Sequence, residues 1–146
     1  MTPKEELKEL LEKLTEKCLD NVDQYGWHIP MCWANSPTGQ RFVFVADSKD
    51  EEPDDKPYDH AAAAKSITYQ VRKYIAEGKL RSVALARNVC CTLDTPEGQV
   101  QTSAVKIALD HEKGGGYLAY LTYEMEEGKA VPKNIYYEEL PERFFS

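Results

Sequence analysis

The chain has 146 residues, 42% of them hydrophobic, which suits one ordinary domain whose core needs neither a metal nor a disulfide. Against 18 basic side chains stand 25 acidic ones, so the net charge of -7 sets a mean field that repels phosphate backbones and disfavours nucleic acid as a partner. No apolar run approaches the roughly 18 residues of a membrane span, and the charged start MTPKEELKELLEKL lacks the apolar core of a secretory signal.

The four cysteines, Cys18, Cys32, Cys90 and Cys91, have no CxxC spacing, which points to free thiols in a reducing compartment and to a cytoplasmic protein.

At the N-terminus, Thr2, Pro3 and Glu5 supply a helix cap, a first-turn proline and a capping-box acid. Leu7, Leu10, Leu11, Leu14 and Cys18 then fall on one helical face, which predicts an amphipathic helix from about residue 3 to about residue 21. Ile29 to Ala34 and Arg41 to Ala46 read as a hairpin around the turn formers Asn35 to Gly39. Phe42 to Ala46 is apolar on both parities, which predicts a central strand covered on both faces.

Asp47 to Asp59 holds seven acids against two lysines and two prolines and reads as a solvated surface loop. A second helix is expected from about Tyr58 to Glu77, with Ala63, Ile67, Val71, Tyr74 and Ile75 inward and Gly78 ending it. Three long strands follow. Val83, Leu85, Val89, Cys91 and Leu93 share one parity before a turn at Thr95 to Gly98, and Val105, Ile107 and Leu109 share one parity before a turn at Asp110 to Gly116. Tyr117 to Tyr123 forms the third, and the tail adds a short edge strand.

The fold expected is therefore α+β. A single antiparallel sheet of about five strands carries two amphipathic helices, in the order α-β-β-α-β-β-β, within one domain over 1–146. That element order is similar to profilin-like and roadblock-like folds, an analogy that brings no function with it. The C-terminal third, from Ser103 to Ile107 through Tyr117 to Tyr123 to Glu142-Arg143-Phe144-Phe145, resembles the tail of small bacterial proteins and implies no activity.

Most candidate chemistry dissolves on inspection. Cys32, Cys90, Cys91, His28, His60 and His111 lack zinc-site pairing, and His28 and Cys32 on a strand lie about 13 Å apart, so no metal and no cofactor is expected. Neighbouring Cys90 and Cys91 point to opposite faces and read as two buried, inert thiols. Gly114 to Gly116 opens a strand and lacks the lysine and helix of a phosphate loop, and Asp110-His111 sits where a hairpin turn wants Asp. No catalytic residue is assigned.

Two features remain. Lys65, Arg72, Lys73, Lys79, Arg81 and Arg87 meet a single acid, Glu77, between residues 65 and 87, a locally basic stretch in an acidic chain. Arg87 shares parity with Val83 and Leu85, so if that parity faces the core it must pair with a carboxylate or line a cleft. The second feature is aromatic: Tyr117, Tyr120, Tyr123, Tyr136, Tyr137, Phe144 and Phe145 crowd the C-terminal part, where an edge strand can take a partner. These observations point to a binding or regulatory module that acts through a protein partner or self-association. The alternatives are a small-ligand sensor, with a pocket of Trp27, Trp33 and Tyr117 and an anion on Arg87, and a small hydrolase. The candidate contact residues are Arg87, Trp33, Tyr117, Tyr120, Arg72 and Lys73.

Overall fold

A computed structural model describes residues 2–25, 30–45 and 60–145. Helix α1 spans Pro3–Tyr25 and α2 spans His60–Ala76, and the strands are β1 Met31–Asn35, β2 Arg41–Val45, β3 Ser82–Thr95, β4 Gly98–His111, β5 Tyr117–Glu126 and β6 Lys129–Glu139. All six strands form one antiparallel sheet in the order β2-β1-β3-β4-β5-β6. The fold class expected from the sequence stands, with a full eleven-residue strand, β6, where a short one was expected. The acidic stretch Asp47 to Asp59, Trp27 and His28 lie outside the described residues.

Strand parity assigns the two helices to opposite faces. Met31, Ala84, Ala86, Val105, Ile107 and Leu109 pack with α1, whereas the intervening Cys32, Ala34, Val83 and Leu85 pack with α2. Leu7, Leu10, Leu14, Cys18 and Val22 of α1 are fully buried, and each large aliphatic among them contributes about 1.5–3 kcal/mol. Val22 carries the stripe one turn beyond Cys18, which is why α1 outruns its expected end. Its start follows the capping box: Thr2 Oγ1 accepts the Glu5 amide at 3.2 Å, and the Glu5 carboxylate accepts the Thr2 hydroxyl at 3.0 Å.

On α2, Ala64, Ile67 and Val71 turn inward, so Ala64 takes the place expected of Ala63. Gly78, at φ 72°, ends the helix as its sequence position suggested. The C-terminal residues Phe144 and Phe145 complete this second core.

One strand departs from expectation. β2 is an edge strand, not a central one, and Val43 and Val45 are 53% and 54% exposed. Phe42 and Phe44 pack edge-on against Tyr74 of α2, at 5.9 and 5.0 Å between ring centroids. The valines point to the α1 side, and α1 runs over β1, β3, β4 and β6 without reaching β2. Apolar residues on both parities therefore marked a strand covered on one side.

The end of the sheet where β3 begins and β4 ends is polar on both faces. On the α1 side, Asn35, Ser82 and His111 are register neighbours across β1, β3 and β4, and Glu6 of α1 docks on them. Glu6 accepts hydrogen bonds from Asn35 at 3.4 Å, from Arg81 Nε at 3.2 Å and from the Ser82 hydroxyl, and its second oxygen meets Arg81 Nη2 at 2.9 Å. On the α2 side, the fully buried Asp110 accepts the amides of Phe144 at 2.9 Å and Phe145 at 3.1 Å, and Arg143 at 3.3 Å. Asp110 is thus the anchor of the C-terminal tail, a role beyond that of a turn residue.

Candidate functional site

Beyond α2, the sheet face it shares with the tail is only partly roofed by the described residues. A cleft of about 200 Å³ lies there, floored by Leu85 and Arg87 of β3, Lys106 and Ala108 of β4 and Leu118 of β5. Thr68 and Arg72 of α2 make one wall, and Leu140, Pro141, Glu142 and Phe144 of the tail make the opposite lip. At Arg87, Leu85 and Thr68 it continues into a more open depression of about 520 Å³ bordered by Ala61, Ala64 and Lys65.

Pairing along the sheet dictates what stands on the floor. Arg87 is directly opposite Lys106, Lys106 opposite Tyr120, and Tyr120 opposite Tyr136, so one row of the α2 face reads Arg-Lys-Tyr-Tyr across β3 to β6. Side chains in such pairs sit with Cβ atoms about 4.5–5.5 Å apart, and like charges there repel. Neither Arg87 nor Lys106 has a carboxylate partner among the described residues. Arg87 is half-buried, and its Nε is closed off from solvent with no hydrogen-bond partner. Lys106 Nζ lies 5.8 Å from the centre of the Tyr120 ring.

Arg72 adds a third cation at the rim. Its guanidinium rests 5.5 Å over the Phe144 ring, donates to the Arg143 carbonyl at 3.4 Å and meets the well-exposed Glu142 carboxylate at 3.5 Å. These contacts hold the tail against α2 and so fix the width of the cleft. With Lys65 at its open end, a protein of net charge -7 gathers four cations around one partly apolar hollow.

The residues expected to form a site divide between the two faces. Arg87 and Arg72 meet in the cleft, and Tyr120 continues its floor beside Lys106. Trp33 and Tyr117 lie on the opposite side, packed against the α1 core, where Arg41 stacks 5.2 Å over Trp33 and Tyr117 meets Tyr137 edge-on at 5.7 Å. A pocket joining Trp33 and Tyr117 to Arg87 is therefore ruled out by the sheet between them. Lys73 stands on the exposed surface of α2, away from the cleft. Of the other basic residues, Lys79 pairs with Glu77 at 2.7 Å and Arg81 is taken up by Glu6.

Cys18 and Cys32 are buried and in no disulfide, one in each core with the sheet between them. Burial raises both thiols, that of Cys32 to about 12. Cys90 is free and exposed, which corrects the expectation of two buried thiols; the side chain of Cys91 lies outside the described residues. His111 is buried, its Nδ1 accepting the Lys113 amide at 3.1 Å and its Nε2 facing Glu6 at 3.7 Å. The Ser82 hydroxyl is given to Glu6 and not to His111. Burial acts to raise the Glu6 carboxyl, yet hydrogen bonds from Ser82, Arg81 and Asn35 and the charge of Arg81 hold it below the usual carboxylate range. No group of metal-ligating side chains forms among the described residues, and no helix there is long and apolar enough to cross a membrane.

Lys106, Thr68 and the tail lip were not anticipated. Lys106 was within reach of the sequence, because counting back from the two-residue turn Pro96-Glu97 pairs it with Arg87. The tail gave no such signal, since its docking depends on a carboxylate more than thirty residues away. Comparison with known proteins finds no matching family model, curated protein or solved structure.

Proposed function

We propose that this protein is a binding module whose working surface is the cationic cleft between α2, the sheet and the C-terminal tail, and whose ligand is an anion. The observation that carries this reading is the Arg87–Lys106 pair, two cations opposed on a rigid floor with no carboxylate partner among the described residues. Among the described residues nothing offsets their mutual repulsion, and an anion bound between them would. A concave, partly apolar site with a few convergent polar groups favours a small ligand over a flat protein interface. A panel of carboxylates, phosphates, sulfates and neutral compounds should raise the melting temperature of the wild type for anions alone. If anions shift an Arg87→Gln, Lys106→Gln variant as much as they shift the wild type, the proposal fails.

Pairing with a protein partner or a second copy is a further reading, supported at one place by the bare edge of β2. Its partner-facing side among the described residues is unpaired, and Val43 and Val45 are exposed beside it. The opposite edge is defended by Pro132, the bulge near Leu121 and the Lys133 pairs with Glu124 and Glu126 at 3.6 and 2.9 Å. Light scattering after size exclusion tests this, with a concentration-independent monomer counting against it. The hydrolase alternative draws no support from His111, whose Nδ1 is occupied by a backbone amide. We propose a reducing compartment, the cytoplasm, on the thiols of Cys32 and Cys90, which form no disulfide.

A further inference from the structure

We infer that the anion taken by the cleft is a phosphate monoester with a compact apolar body. This inference rests on the anion-binding reading above and names its ligand class. The charge to be matched comes first. Arg87 and Lys106 present two positive charges side by side, and Arg72 supplies another at the rim, shared with the exposed Glu142. A carboxylate brings one negative charge and leaves part of the cation pair unmatched. A phosphate monoester brings about -1.5 to -2 at pH 7, with three acceptor oxygens for the Arg87 fork and the Lys106 ammonium. Arg87 and Lys106 both line the cleft, so their donors face the space such oxygens would occupy.

Size and lining decide the remainder of the ligand. A cleft of about 200 Å³ admits a phosphoryl group and a small body, and excludes a nucleic-acid backbone, which the net charge of -7 also repels. Leu85, Ala108, Leu118 and Phe144 offer that body an apolar seat, and the Tyr120 ring stands next to Lys106 in the same row. Inorganic phosphate would meet the cations and leave this seat wet.

The test is a calorimetric titration of the full chain with phenyl phosphate, benzoate and inorganic phosphate, and with a phosphotyrosyl peptide to distinguish a free ester from a modified partner protein. Phenyl phosphate should bind at least about tenfold more tightly than benzoate or inorganic phosphate, since hydrogen bonds to charged groups and buried apolar area each contribute on that scale. Its affinity should rise between pH 5 and 7 as the second proton leaves near pH ~6. Arg87→Gln and Lys106→Gln should each weaken it about tenfold or more, and both variants should melt no lower than the wild type because each removes a repulsion. Tighter binding of the peptide than of phenyl phosphate assigns the monoester to a partner's side chain, and equal or weaker binding assigns it to a free metabolite; either supports the class. Benzoate binding as tightly as phenyl phosphate overturns the monoester inference and leaves an anion cleft standing. Failure of every anion to bind overturns both.

Discussion

Removing the Asp110 carboxylate should release the C-terminal tail and with it a large part of the fold's stability. Its Oδ2 receives the Phe144 and Phe145 amides, and its Oδ1 receives the His111 amide at 2.9 Å and Arg143. In Asp110→Ala these buried donors lose their acceptor, at about 1–3 kcal/mol for each amide that finds no water. Arg143 is half-exposed and its pair adds little. Because a loosened tail can let water reach some of the amides, the net loss should be about 3–5 kcal/mol. At about 2 kcal/mol per molar urea, the unfolding midpoint should fall by roughly 2 M. Equilibrium urea unfolding followed by circular dichroism measures this directly. Adding Asp110→Ala to a Phe144→Ala, Phe145→Ala background should cost much less than it does alone, because both act on one docked segment. A loss under about 1 kcal/mol in the single variant, or full additivity in the combination, would refute the claim that Asp110 holds the tail.

Other expectations follow from the packing and the charges. Gly116→Ala places a Cβ 2.6 Å from the Leu109 carbonyl oxygen and 2.7 Å from Asp110 Oδ1, so thermal melts should report a loss of about 1–3 kcal/mol. Glu6 has a folded pKa below its ordinary 4.5, so its contribution is complete above pH 4.5 and fades as pH falls through the folded value. Melting temperature against pH should therefore drop more steeply below pH 4.5 in the wild type than in Glu6→Gln, and parallel curves would remove Glu6 from the account. Brief alkylation of the native protein with peptide mapping should label Cys90 and spare Cys18 and Cys32, and labelling of the latter two at the same rate would contradict their burial.

Periodicity carried the sequence reading where each element had one apolar face. The stripe from Leu7 to Cys18, the Gly78 stop and the turn at Pro96-Glu97 are local signals, and each element lies where they put it. Layering was harder to read, because the position of β2 in the sheet depends on which strand pairs with β1 from the far side. Its Phe42 and Phe44 find Tyr74, but nothing in the sequence near Val43 reports that α1 passes elsewhere. For the site, Arg87 was identifiable as a cation on a core parity, whereas its partner Lys106 was missed although hairpin register could have found it. Trp33 and Tyr117 were misassigned to that pocket because composition ranks aromatics without saying which side of the sheet they occupy. Asp110 hid behind the ordinary preference for Asp at turns, and its contacts span a sequence distance that no local pattern records.

The path of α1 across the sheet has a consequence for how the chain is made. Its first turn is tied to Arg81, Ser82 and His111, and its last to the β5–β6 hairpin, where the Ala130 amide donates to Asp23. At the ribosome's pace of roughly 5–20 residues per second, the helix emerges several seconds before that hairpin exists. During that interval only the earlier strands β1, β3 and β4 can cover its leucine stripe, through Met31, Ala84, Ala86, Val105, Ile107 and Leu109. α1 is thus made before the strands that complete its cover, and it reaches its native place only once they are present.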